Sequence, residues 1–180
     1  MNLPNKLTTA RIAMTVLMVI FLLQRGSFWD WLAALMFVGA SITDAADGRI
    51  ARSRNMVTNL GKFMDPLADK ILNYSVMIIL VPEHLVPPVA LVIILFREFL
   101  VSGIRQVAVE QGRVIAANIW GKLKTLVQDL SLVAILVFRA LDVNYLESLS
   151  ATLMWICVVL TVISGGVYLV QNKDVLLDAD

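Results

Sequence analysis

Six long apolar segments dominate the chain, and short breaks separate them. They run Leu7–Leu23, Trp29–Asp44, Gly61–Val81, Val86–Val109, Ile119–Leu141 and Ser150–Val170. Each approaches the ~20 residues that cross ~30 Å of hydrocarbon. In lipid every backbone polar group must be paired within its own segment, so each segment is expected to be a helix. The breaks "QRGSFWD", "SRNMVTN", "VPEHLVPP", "EQGRVIAAN" and "RALDVNYLES" are short and polar or proline-rich. The expected fold is an all-α integral membrane domain of six transmembrane helices spanning residues 1–180. The second helix is expected to run past the membrane surface through "DGRIARSR", because only Gly48 in that stretch disfavours helix.

Composition agrees with a bilayer protein. The 180 residues are 59% hydrophobic, with a mean hydropathy of +0.81, above the half-apolar make-up of ordinary soluble domains. The net charge is +1, which gives no general attraction for nucleic acid. Cys157 is alone, so neither a disulfide nor a cysteine metal site can form within the chain; it reads as filler in an apolar helix. The amino-terminal run ends at Gln24 and Arg25 without a small-residue cleavage pattern, so it is expected to stay as the first span.

Basic residues set the expected orientation. With the amino terminus inside, Lys6, Arg11, Arg49, Arg52, Arg54, Lys62, Lys70, Arg105, Arg113, Lys122, Lys124 and Lys173 fall on the inner side, against Arg25 and Arg139 outside. That asymmetry puts both termini in the cytoplasm. Trp29, Trp31 and Trp155 then lie near the outer interface, where indole rings are favoured. Arg97 is left deep in the fourth helix.

Against this background the stretch "DAADGRIARSRNMVTNLGKFMDPLADK" stands out. Asp44 and Asp47 are three apart on one helix, and Asp65 and Asp69 are four apart on the next, so each pair shares a face. Four carboxylates brought together would repel and raise one another's pKa. A divalent cation, or two, relieves that repulsion, and all-oxygen donors favour Mg2+, Mn2+ or Ca2+ over zinc. Gly48 leaves room beside Asp47 for a phosphate, Arg52 offers a planar fork for one, and Pro66 weakens the helix beside Asp65. The plainer alternative is juxtamembrane ion pairing, Asp44 with Arg49 and Asp69 with Lys70. It leaves the two spacings and both glycines, Gly48 and Gly61, unexplained.

Asp44, Asp47, Gly48, Ala51, Arg52, Gly61, Asp65 and Asp69 spell D-x2-D-G-x2-A-R-x8-G-x3-D-x3-D. That pattern resembles the signature of the CDP-alcohol phosphotransferase family at every position, and the six-helix layout extends the resemblance to the whole chain. The resemblance implies transfer of a phosphatidyl group from a CDP-linked donor to an alcohol, with release of CMP. It implies a centre of two Mg2+ or Mn2+ ions on Asp44, Asp47, Asp65 and Asp69, with Asp69 also the general base. It implies Gly48, Arg52 and Thr58 at the CDP donor, a homodimer, and residence in the inner (cytoplasmic) membrane with the polar site on the cytoplasmic side.

Three further stretches resemble those of bacterial phosphatidylglycerophosphate synthases. "LPNKLTTAR" suggests Asn5 and Thr8 as donor-binding groups; the alternative is that Thr8 or Thr9 caps the first helix. Arg11, one turn on, either faces the same polar cavity or snorkels to the interface. "FREFLVSGIRQVAVEQG" carries Arg97 and Arg105, and "WGKLKTLVQD" carries Lys122, Lys124, Thr125 and Gln128. Arg97, Arg105 and Lys122 would form an anion site suited to an acceptor with its own phosphate. The alternatives are a structural pair of Arg97 with Glu98 or an aspartate, and positive-inside topology for the lysines. The expected reaction joins CDP-diacylglycerol and sn-glycerol 3-phosphate. The rivals are another acceptor (inositol phosphate, serine or phosphatidylglycerol), a small cation transporter, and a scaffold without chemistry. His84, Pro82, Pro87 and Pro88 read as parts of an outer turn, and the tail "DVLLDAD" reads as solvated.

Overall fold

The structure is a computed structural model. It describes the backbone of residues 3–53, 59–116 and 118–177, and the side chains of 8–43, 64–116 and 118–175. The described residues form seven helices: α1 Leu3–Gln24, α2 Ser27–Ser53, α3 Asn59–Leu80, α4 Pro88–Glu110, α5 Ile119–Ala140, α6 Leu146–Gln171 and α7 Lys173–Leu177. The first six follow the six apolar segments. Helix α2 continues to Ser53 as expected, and α3 runs unbroken through Pro66.

The helix ends follow the local sequence. Between α1 and α2 the chain reverses through Arg25 and Gly26, both at positive φ. Pro87 is extended and Pro88 opens α4, where its missing N–H costs nothing. Helix α4 closes on Gly112 at φ 73, with Arg113 N–H donating to Ala108 O at 2.8 Å. This is the left-handed turn that glycine makes without strain. Asn118 caps α5: its Oδ1 accepts from Gly121 N–H at 2.7 Å.

The helices belong to two compact units, Met1–Glu83 with Leu132–Leu146, and His84–Ser131 with Glu147–Asp180. In the first, α1 packs on α2 and α3, and α2 touches α3. The buried face of α1 changes character along its length: Thr8, Arg11 and Thr15 give way to Met18 and Leu22. Their spacing of three and four is one helical stripe. On α3, Ala68, Leu72, Val76 and Leu80 form a similar stripe. Arg11 is fully buried, so it does not snorkel.

An ion network ties together four elements of this unit. Arg139 at the end of α5 meets Asp30 Oδ1 at 2.8 Å and both oxygens of Glu83 at 3.0 Å. It also donates to the carbonyl of Leu22 at 3.5 Å. Ser27 donates to the carbonyl of Ala140, fixing α2 to the end of α5. The sequence reading saw Arg139 only as an outer-side cation.

In the second unit α7 lies on α4. Val175 is buried with Val101, Ile104, Ala108 and Tyr168, and its carbonyl accepts from Gln111 Nε2 at 3.1 Å. The tail was expected to be solvated, and Val175 corrects this: one apolar side chain finds a closed seat. Cys157 is buried, with its Sγ 3.5 Å from Ser131 Oγ, as a helix-packing residue.

The surface carries large apolar side chains, including Leu17, Ile20 and Leu23 on α1, Val92, Phe96 and Phe99 on α4, and Val159, Val162 and Val170 on α6. Exposed apolar faces of this extent are suited to lipid. Among the described residues α6 is the one helix both long and apolar enough to cross a bilayer unaided; Thr8–Gln24 and Ser27–Thr43 are shorter apolar stretches. The charges inside α3, α4 and α5 account for the difference: Asp65, Asp69 and Lys70; Arg97, Glu98 and Arg105; and Lys122, Lys124 and Asp129.

Candidate active site

The acidic cluster of the first unit is seen from α3. Asp65 and Asp69 are one turn apart and both half-buried, on a helix that packs against α1. That packing brings Thr8 to Asp65: Thr8 Oγ1 donates to Asp65 Oδ1 at 2.5 Å, and Thr8 is 3% exposed. A hydroxyl donor fixes the orientation of the carboxylate it bonds. Thr8 sits in the second turn of α1, which begins at Leu3, so neither Thr8 nor Thr9 is a cap. Its hydroxyl proton is donated to Asp65.

The partners expected on α2 are placed only by their backbone. Asp44, Asp47, Gly48 and Arg52 lie in the last turns of α2, and Asn5 lies in the first turns of α1. Their side chains, and all of Thr58, lie outside the described residues. Among the described residues no group of three or more His, Cys, Asp or Glu comes together. Asp65 and Asp69 offer only carboxylate oxygens, a donor type that suits a hard divalent cation.

A cationic cluster belongs to the second unit, and its membership differs from expectation. Arg97 is 9% exposed. Its Nη1 donates to Glu98 Oε1 at 2.8 Å, and its Nη2 to Ser164 Oγ of α6 at 2.5 Å. The same Oε1 accepts from Lys124 Nζ at 2.7 Å. Lys124 is 2% exposed, whereas Lys122 is exposed and stands outside this network. Two residues along a helix are turned by ~200°, so the two lysines face opposite ways. Arg105 is exposed as well, its guanidinium 5.7 Å from the centre of the Tyr168 ring. A spacing of eight leaves it ~80° off the direction of Arg97.

The pairing of Arg97 with Glu98 is therefore present, yet it does not saturate the arginine. Arg97 Nε is buried without a hydrogen-bond partner. Two cations share one carboxylate oxygen, in a place where an unpaired charge is expensive. Nothing in the sequence named Ser164. Lys124 could have been found, because Lys124, Gln128 and Ser131 repeat at four and three residues and so mark the buried face of α5.

Residues 1–163 match the CDP-alcohol phosphatidyltransferase family. A CDP-diacylglycerol–glycerol-3-phosphate 3-phosphatidyltransferase of Bacillus subtilis is 40% identical, covering 97% of each chain. The Rickettsia typhi protein of the same name is 40% identical over 93% of this chain and 94% of its own. The Haemophilus influenzae protein of that name is 33% identical over 98% and 96%. Family proteins are membrane-embedded enzymes that use a divalent metal. Both the acidic signature and the Arg97 and Lys124 stretches lie inside the matched region, and the chain belongs to the CDP-alcohol phosphatidyltransferase family.

Proposed function

We propose that this protein transfers the phosphatidyl group of CDP-diacylglycerol to sn-glycerol 3-phosphate, giving phosphatidylglycerophosphate and CMP in phospholipid biosynthesis. The observation that carries the reading is near-full-length similarity, at 33–40% identity, to proteins named for that reaction. Burial of Arg97 and Lys124 around one shared carboxylate oxygen supports a phosphate-bearing acceptor. Serine or phosphatidylglycerol would supply no such free phosphate group.

The reaction forms a P–O bond from the acceptor hydroxyl to the phosphatidyl phosphorus and breaks the P–O bond to CMP. Asp44, Asp47, Asp65 and Asp69 are the proposed ligands of two Mg2+ or Mn2+ ions. When bound, the ions would neutralise the pyrophosphate and favour departure of CMP. Asp69 is the proposed base for the acceptor proton. Thr8, whose hydroxyl donates to Asp65, is also proposed at the CDP donor. Gly48, Arg52, Thr58 and Asn5 are proposed at the CDP donor. Arg97 is proposed at the acceptor phosphate with Lys124 beside it, and Arg105 and Lys122 contribute from exposed positions. The proposal includes six membrane spans, cytoplasmic termini and a homodimer, which rest on the apolar pattern, the basic-residue asymmetry and the family resemblance.

The test is CMP release by the purified full-length protein with each acceptor in turn. Turnover with glycerol 3-phosphate but not with serine, inositol phosphate or phosphatidylglycerol is expected. Preference for any of the others would overturn the assignment.

A further inference from the structure

Arg97 is seated by a helix that no motif marked. Three small residues surround its side chain. A methyl group on Gly165 would come within 3.1 Å of Arg97 Cγ, closer than side chains normally pack, so the stem of Arg97 lies against the α6 backbone. One on Gly121 would come within 3.6 Å of Arg97 Nη2 and 3.8 Å of Ser164 Oγ. Ser164 itself takes the Nη2 hydrogen bond, and it is fully buried. Glu98 holds Nη1 from the other side of the guanidinium. The head is thus fixed by two acceptors and the stem by contact, while Nε is left as the buried donor without a partner. Ser164 and Gly165 lie just past residue 163, where the family match ends.

A long flexible side chain loses rotamer freedom when it binds an anion, and prior fixation removes that cost. We propose that Ser164 and Gly165 of α6 are positioning residues that set the affinity for the phosphate-bearing acceptor by fixing the guanidinium of Arg97. The proposal rests on the reading of Arg97 as an acceptor-phosphate residue. It adds that α6 takes part in substrate selection, although its remaining sequence is that of an apolar membrane helix.

Steady-state CMP release by the full-length protein in mixed micelles tests it, each substrate being varied at saturating levels of the other. Ser164→Ala should raise KM for glycerol 3-phosphate roughly tenfold, as expected for a lost hydrogen bond to a charged group. The values of kcat and of KM for CDP-diacylglycerol should stay within about twofold, because the lost interaction concerns one substrate. Gly165→Ala should act in the same direction, since its methyl must displace the arginine stem. Ser164→Thr, which keeps the hydroxyl, should behave like the parent.

Four results overturn the proposal: a Ser164→Ala enzyme with unchanged KM for glycerol 3-phosphate, an unchanged KM in Gly165→Ala, parallel losses for both substrates and kcat, or a Ser164→Thr enzyme as impaired as Ser164→Ala. Arg97→Gln separates the two levels of the argument. If it leaves KM for glycerol 3-phosphate unchanged, the acceptor reading of Arg97 falls and takes this proposal with it. If it raises KM while Ser164→Ala does not, only the α6 seat falls.

Discussion

The acidic and the basic cluster hold their charge in different ways. In the first, Asp65 and Asp69 sit half-buried one turn apart, and the contact seen on Asp65 is a neutral hydroxyl from Thr8. In the second, Arg97 and Lys124 are almost wholly buried and share Glu98. A hydroxyl orients a carboxylate but does not neutralise it. A bridging carboxylate does neutralise much of a cation pair. The carboxylate oxygens of the acidic cluster suit a divalent cation from solution, whereas the basic cluster is proposed to take an anion.

Removing that cation should have the largest effect. Chelation by EDTA should abolish CMP release, and Mg2+ or Mn2+ should restore it. Asp69→Asn should lower kcat by about 10²–10⁴, the usual range for a lost general base. Arg97→Gln should instead act mainly on KM for glycerol 3-phosphate and should not change the metal concentration for half-maximal rate. If Arg97→Gln shifts the metal requirement as strongly as Asp65→Asn does, the contrast between the two sites fails.

The next effect is on stability and lies away from both sites. Arg139 is held by Asp30 and Glu83, with side-chain exposures of 9%, 7% and 22%. Truncating it strands two carboxylates. Arg139→Ala should cost about 3–5 kcal/mol, as breaking buried pairs does. Thermal inactivation in detergent should move to lower temperature, with KM for both substrates unchanged at low temperature. A shift in KM before any loss of thermal stability would show that the network serves a substrate.

Thr8→Val comes next. It keeps the shape of the side chain but removes the donor to Asp65, worth about 1.5–3 kcal/mol where the acceptor is charged. The expected result is a several-fold rise in the metal concentration for half-maximal rate, with KM for glycerol 3-phosphate unchanged. If the nucleotide donor's KM moves instead, Thr8 belongs to the donor site as the sequence pattern first suggested.

What the sequence disclosed and what it hid follow the same physics. The six helices were legible because an apolar run long enough to span lipid has only one backbone solution. The passage of α2 to Ser53 was legible because "DGRIARSR" contains only one residue that disfavours helix. The pairing of Asp65 and Asp69 on one stretch of α3 was legible because a four-residue spacing fixes a face; the side chains of Asp44 and Asp47 lie outside the described residues. The partners were not legible. Thr8 and Asp65 are 57 residues apart, and Arg97 and Ser164 are 67 apart. Such pairs are set by which helix packs on which, and apolar segments of similar length carry little information about their neighbours. The same holds for Arg139, whose partners lie on α2 and in the turn after α3.

The smallest expected effect separates two lysines that the sequence could not rank. Lys124 is buried and bonded to Glu98; Lys122 is exposed. An exposed charge acts on a phosphate through water and is screened by salt over ~8–10 Å, while a buried one is screened much less. Lys124→Gln should raise KM for glycerol 3-phosphate roughly tenfold, at any ionic strength. Lys122→Gln should raise it no more than about threefold at low salt, and the difference from the parent should vanish near 0.5 M salt. A salt-independent loss in Lys122→Gln as large as that in Lys124→Gln would mean that Lys122 turns inward when substrate is bound. The acceptor site would then be completed by ligand binding.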